Sequence, residues 1–104
     1  MAKRKSKWKL VSIKNSPREG KKKVAVFEDR KTGRTKTTHF GASGYSDYTK
    51  HRDDDRKANY LSRHKTRENW RDPTTAGALS RWILWNKTTL KASIADFKRR
   101  FGLS

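Results

Sequence analysis

Apolar and polar residues alternate through Trp8, Leu10 and Ile13, with a one-residue slip at Val11. A period of two predicts a strand, and the extra residue predicts a β-bulge within it. Asn15–Gly20 is turn chemistry, because Pro17 presets φ and Gly20 tolerates positive φ. A second strand is predicted over Lys23–Glu28, with Val24 and Val26 on one face and Ala25 and Phe27 on the other. Asp29–Arg34 reads as another turn, and Thr35–Phe40 as a Thr-rich third strand. Three strands with two short connections make an antiparallel meander. Its outward side is rich in Lys and Thr, so one face is expected to stay wet.

After Gly41 the apolar spacing becomes helical. Ser46 or Asp47 is placed to cap a short helical turn. A longer helix is expected from near Asp53 to about Lys65, with Tyr60, Leu61 and His64 on one stripe. Residues 66–72 read as a connection carrying Trp70. Asp72–Pro73 has the form of an N-cap followed by Pro at the first helical position. The helix it would open presents Leu79, Trp82 and Ile83, and Gly77 weakens its start. Thr88 or Thr89 then caps a last helix, in which Leu90, Ile94, Phe97 and Phe101 recur at i, i+4, i+7 and i+11. Gly102 sits where a C-terminal cap belongs. The fold class expected is α+β. A basic arm over residues 1–7 precedes a single domain over 8–104, with strands over 8–40 and about three short helices over 46–101.

Composition thins the core this pattern can build. The chain has 104 residues, of which 37% are charged and 31% hydrophobic, and a formal net charge of +18. Such a balance alone predicts disorder; four Trp and three Tyr oppose it, since aromatic side chains carry the most apolar surface per residue. A small core with solvated basic surroundings is expected, rather than an enzyme with a deep pocket. The absence of cysteine excludes disulfides, thiolate metal sites and cysteine nucleophiles. The longest apolar stretch, Leu79–Trp85, is broken by Ser80 and Arg81 and falls far short of the ~20 residues of a membrane span. The N-terminus is charged without a following apolar region, so no secretory signal is expected, and the reducing interior of a cell is the default location.

The cation excess is the strongest functional signal, because a surface of one sign recruits polyanions. Residues 1–36 hold half of all Lys and Arg, against three acids, Glu19, Glu28 and Asp29. The residues assigned to polyanion binding are Lys3, Arg4, Lys5 and Lys7 of the arm, Lys21, Lys22 and Lys23 beside the first turn, and Arg30, Lys31 and Arg34 at the second. Zinc fingers, a basic region with heptads and the aromatic pattern of an RNA-recognition sheet are all absent, so sequence-specific base reading has no support. Gly41-Ala42-Ser43-Gly44 between a strand and a helix can cradle an anion, but it lacks the Lys of a nucleotide-binding loop and reads better as a plain turn. Asp53-Asp54-Asp55 with His51 and His64 has the residue types of a metal nuclease. Three acids at a helix start equally complement its dipole, with Asp53 able to pair with Arg56 or Lys57; this simpler reading is preferred, with no metal and no cofactor. Trp70, Trp82 and Trp85 are candidates for a protein interface, because a chain this small cannot easily enclose every face of Trp82-Ile83-Leu84-Trp85.

Three segments are distinctive: His39–His51, Tyr60–Trp70 and Thr75–Lys87. Together with Leu90–Phe97, they resemble a family of small basic proteins encoded by large nucleocytoplasmic DNA viruses, including chlorella and other algal viruses. The likeness covers about residues 38–100 and assigns no activity to any residue. It implies a setting, the infected cell or the particle of a large icosahedral DNA virus. There, a basic Trp-bearing chain suits a minor capsid protein in the capsid interior or the host cytoplasm. Its expected partners are capsid proteins or other acidic protein surfaces, with DNA or an anionic inner membrane as further polyanions and no small-molecule substrate. The alternative function is sequence-independent nucleic-acid binding that condenses or packages the genome.

Overall fold

The computed structural model of the protein describes residues 6–44 and 46–104. Three strands, β1 (Trp8–Asn15), β2 (Lys21–Asp29) and β3 (Thr35–Ala42), form an antiparallel sheet in the order β1-β2-β3. Four α-helices follow: α1 (Tyr48–His51), α2 (Asp54–His64), α3 (Ala76–Leu79) and α4 (Leu90–Phe101). A π-helical turn over Ser80–Leu84 continues α3. The fold is therefore α+β, as the change of period indicates.

The bulge lies where the pattern slips. Leu10 pairs with Phe27 and Ser12 with Val26, leaving Val11 without a cross-strand partner and 53% exposed. Absorbing one residue there keeps both Leu10 and Ile13 on the core side. Ala25 and Phe27, rather than Val24 and Val26, are the core face of β2. Phe40 joins them from β3, and Leu79, Ile83, Leu84, Phe97 and Leu103 close the cluster from the helical layer.

Helix starts follow local capping chemistry, in which a short polar side chain accepts from otherwise orphaned N–H groups. Asp47 caps α1, Asp53 caps α2 by accepting from the N–H groups of Asp55 and Arg56, and Thr89 caps α4. The Asp72–Pro73 expectation is corrected. The Asp72 carboxylate turns onto the N–H and hydroxyl of Thr74, its carbonyl accepts from Thr75, and Thr75 caps a helix that starts at Ala76. Gly77 costs that helix propensity but is needed for packing: a Cβ there would come within 2.7 Å of the Glu68 carboxylate. The π turn, closed by the Trp85 N–H on the Ser80 carbonyl, is wider than an α turn. It lets consecutive Ile83 and Leu84 both reach the core while Trp82 and Trp85 flank them.

The sheet's two edges are treated differently. The C-terminal tail lies along β1, with the Leu10 N–H donating to the Leu103 carbonyl (2.9 Å) and the Ser6 N–H to that of Gly102 (3.0 Å). Arg30 locks this seam by donating to the carbonyls of Ser6, Gly102 and Ser104.

Asp96 performs the corresponding task in the helical layer. Buried on α4, it accepts from the Asn86 amide at 2.7 Å, from Arg99 at 2.9 Å and from Arg100 at 3.4 Å. Burial works to raise its carboxyl pKa, but the Asn86 bond and the two guanidiniums outweigh that and hold it below the usual range. A lowered carboxylate pKa contributes stability above the unfolded value and loses it as pH falls through the folded one. Asp96→Asn is therefore expected to cost about 1–3 kcal/mol near pH 7. The cost should shrink progressively as pH falls from about 4, where the unfolded carboxyl protonates, through the lowered folded value, below which the wild-type group is protonated too. Urea denaturation across pH checks this; a deficit independent of pH would contradict it.

Candidate functional site

α2 barely joins the main core, and one stack of rings holds it. Tyr60 is its single buried side chain, lying parallel to Trp85 with ring centroids 4.3 Å apart and planes 3° from parallel. His64 stacks on the other side of Tyr60, also at 4.3 Å. Burial, with the Glu68 charge adding to it, pushes the Tyr60 phenol up to about 12, so it stays neutral. Lys57 adds a bond to the Asn86 carbonyl at 2.7 Å, and the Tyr48 hydroxyl donates to Asp54 at 2.6 Å.

Between α2 and the Lys21/Ala42 end of the sheet runs an open groove of about 890 Å³. Leu84, Tyr60 and Trp85 line it together with Ser80 and Gly77, while Arg56 and Arg63, one heptad apart on α2, share it with Lys21 of β2. All three of these cations are exposed, and none is in an ion pair among the described residues. Gly41 is needed at the rim: its φ is +79°, and a Cβ would lie 2.7 Å from Leu84 Cδ1. The groove thus offers scattered positive charge above an apolar floor. The Tyr60 ring is covered by Trp85 and His64, so it offers a nucleobase no free face.

Lys22 differs from its neighbours. Its ammonium meets Asp47 at 2.7 Å, with side chains only 12% and 3% exposed. Asp47 also accepts from the N–H and the hydroxyl of Thr49. Burial raises this carboxyl, yet the Lys22 and Thr49 bonds prevail and leave it lowered. Lys22, assigned to polyanion binding from the sequence, is a structural cation that ties β2 to the α1 cap. Arg30 is likewise committed to the seam of carbonyls. Lys7 lies over Trp8 and 3.6 Å from Asp29, while Lys23 donates to Asn15. Lys21, Lys23, Lys31 and Arg34 remain on the surface at the sheet's two ends; Lys3, Arg4 and Lys5 lie outside the described residues. Arg56 and Arg63 lie outside the polyanion-binding set that the sequence suggests; their seven-residue spacing on a polar helix face is the one signal it carries for them.

The tryptophans are all half-buried and have internal partners. Trp82 sits 4.1 Å from each of the Arg81 and Arg100 guanidiniums and donates its indole N–H to the Trp70 carbonyl. Trp70 donates to Glu68 and faces Arg81, and Trp85 stacks on Tyr60. The Asp53–Asp55 cluster does not converge with the histidines: His51 Nδ1 accepts from the Asp53 N–H and its ring packs on Trp85, while His64 meets Glu68. Asp53 spends its carboxylate on helix N–H groups, not on Arg56 or Lys57 side chains. Among the described residues no three His, Asp or Glu side chains are grouped to hold a metal ion, and no helix is long and apolar enough to cross a membrane.

Compared with known families, residues 11–64 match the model of a family of unknown function, DUF5754. The matched region contains most of β1, all of β2 and β3, and helices α1 and α2, so it supplies both cationic walls of the groove. No curated protein and no solved structure matches the chain.

The two adjacent lysines should separate by experiment. Lys22→Met strips a buried carboxylate of its cation and is expected to cost about 3 kcal/mol in urea denaturation. Lys21→Met should change stability by under ~0.5 kcal/mol, because an exposed unpaired cation does little for the fold. Equal costs for the two would contradict the assignment.

Proposed function

The chain belongs to the DUF5754 family, and with no activity attached to that family we propose that it is a non-enzymatic structural protein that adheres to acidic protein neighbours. The setting its sequence resemblance implies is a large DNA virus particle, where it would serve as a minor capsid component. One observation carries this reading: the folded chain leaves its positive charge uncompensated. Of ten acids, all but Glu19, Glu28 and Asp55 have their side chains committed to internal bonds or caps among the described residues. Of 28 Lys and Arg, only Lys7, Lys22, Arg99 and Arg100 stand in an ion pair there. The cations also repel one another. Lys57 is lowered by burial and then by the charges of Arg81 and Lys87, and Arg81 by burial and then by Arg100.

Uncompensated like charge destabilises the compact state, and a bound polyanion relieves it. The distribution favours a neighbouring protein surface over a duplex. Exposed cations among the described residues occupy the second turn (Lys31, Arg34), the far end of the sheet (Lys21) and α2 (Arg56, Arg63), so they are spread over separate parts of the fold rather than gathered on one element that enters a DNA groove.

Thermal unfolding followed at rising salt, and with polyglutamate or duplex DNA added, tests this. The midpoint should rise with ionic strength and further with polyglutamate, and the chain should be recovered stoichiometrically with purified empty shells. DNA affinity should fall away near physiological salt, at roughly −0.9 log units per phosphate contact. Micromolar DNA binding that persists at that salt would transfer the role to genome condensation, and absence from purified particles would end the structural one. Divalent-dependent cleavage abolished by Asp54→Ala would overturn the non-enzymatic assignment.

A further inference from the structure

β3 is an open edge. It runs eight residues from Thr35 to Ala42, contains no proline and pairs with β2 without a register shift. The opposite edge, β1, is bulged at Val11 and bonded to the C-terminal tail at Leu10, so it is interrupted where β3 is regular. The outward groups of β3 follow from ladder geometry, in which successive residues of an antiparallel strand alternate between bonding inward and outward. At the hairpin, the Asp29 N–H donates to the Arg34 carbonyl at 2.8 Å. Counting on from that bonded pair, Thr35, Thr37 and His39 direct their N–H and C=O groups away from β2. Leu10 supports the phase from the other side: it pairs with Phe27, the partner of Lys36, and its N–H points out to Leu103. Among the described residues, nothing bonds the backbone of Thr35, Thr37 or His39 on the outer side.

Natural edges of this length are usually guarded by a bulge, a proline or an outward lysine. Here the one lysine on the strand, Lys36, turns its ammonium to the Thr74 hydroxyl at 2.9 Å. The charge around the edge selects its occupant. The turn and strand over residues 29–42 carry Lys31, Arg34 and Lys36, with Arg30 bound at the opposite seam, against a single acid, Asp29, which is spent on the N–H groups of Lys31 and Thr32. Of the other acids, Asp72 is committed to Thr74, and Glu28 stands on β2 opposite Thr35 as a lone carboxylate among these cations. A second copy of this chain, at +18, is repelled.

We infer that β3 accepts an extended acidic segment of a partner protein as a fourth strand. The partner's backbone pairs with Thr35, Thr37 and His39, and its carboxylates meet the cations of the turn. Main-chain bonds supply affinity in this mode, and flanking side chains supply selectivity. The inference rests on the proposed adhesion to acidic neighbours and names the part of the neighbour that is held.

The probe is an end-blocked peptide of about eight residues alternating Glu and Thr, compared with the same peptide N-methylated at alternate residues. N-methylation keeps the charge and removes strand pairing. The unmodified peptide is expected to bind at least about tenfold more tightly. On binding, amide exchange at Thr35, Thr37 and His39 should slow, while Lys36 and Thr38, already bonded to β2, should not change. Thr37→Pro removes an outward donor without breaking a β2–β3 bond and should abolish the difference between the peptides. Should that variant unfold, the peptide comparison and the exchange pattern decide on the unaltered chain. Equal binding of both peptides overturns strand addition while leaving the electrostatic reading standing; binding of neither at low salt removes both. Concentration-dependent dimers with slowed exchange at the same three amides would give the edge to a second copy and overturn the inference.

Discussion

Carboxylates are the scarce resource of this protein, and its architecture depends on where they are spent. With ten acids against 28 Lys and Arg, an acid left on the surface is one withdrawn from the folding problem. Asp47 joins β2 to α1, Asp54 ties α1 to α2 through Tyr48, and Asp96 gathers Asn86, Arg99 and Arg100. Asp29, Asp53 and Asp72 stabilise turns and a helix start. These are junctions between elements, where a thin core provides little. Buried or backbone-bonded carboxylates are worth more than exposed pairs, whose net contribution is small. The allocation therefore stabilises the fold while leaving the outer charge almost untouched.

Aromatic side chains carry the second part of the load. Trp82 lies against two guanidiniums and edges onto Phe101, so two mutually repelling cations are held against one indole face system without an acid for each. Trp85 and Tyr60 perform a similar service for α2, which would otherwise be a polar helix with little to bury. The rings that the composition suggests for an external contact are thus occupied in making a small, highly charged chain fold. In the proposed function, that shifts the weight of recognition from aromatic anchors to cations and to exposed backbone.

Much of the fold was legible because it rests on local chemistry. The Val11 slip marks a bulge, Asp53 and Thr89 mark helix starts, and the Leu90–Phe101 stripe marks the last helix, all features set by neighbouring residues. The failures are tertiary. Asp72 matches an N-cap pattern, yet Thr74, held in place by Lys36 and Thr38 of β3, captures its carboxylate and moves the helix start to Ala76. Lys22 reads as one of three equivalent lysines, because nothing local reveals that Asp47, 25 positions away, will bury it. The π turn was invisible for the same reason: it reconciles the core's demand for both Ile83 and Leu84 with the flanking positions of Trp82 and Trp85. The groove depends on α2 folding back toward β2, a long-range event, so Arg56 and Arg63 carried no mark beyond their spacing.

The asymmetry of the sheet connects these threads. A three-stranded sheet has two edges, and this chain spends its C-terminal tail, a bulge and the Arg30 clamp on interrupting one of them. The other edge keeps a regular ladder in a strand of Thr residues, whose β-branched side chains favour the extended state. Charge repulsion between copies provides protection that geometry does not, since edge-to-edge pairing would bring two chains of net charge +18 together. That protection is selective by sign. A neutral or basic strand gains only hydrogen bonds there, whereas an acidic one gains hydrogen bonds and relief of the excess charge. In the strand addition proposed above, the imbalance that makes the core hard to build would thus also discriminate among partners at the open side.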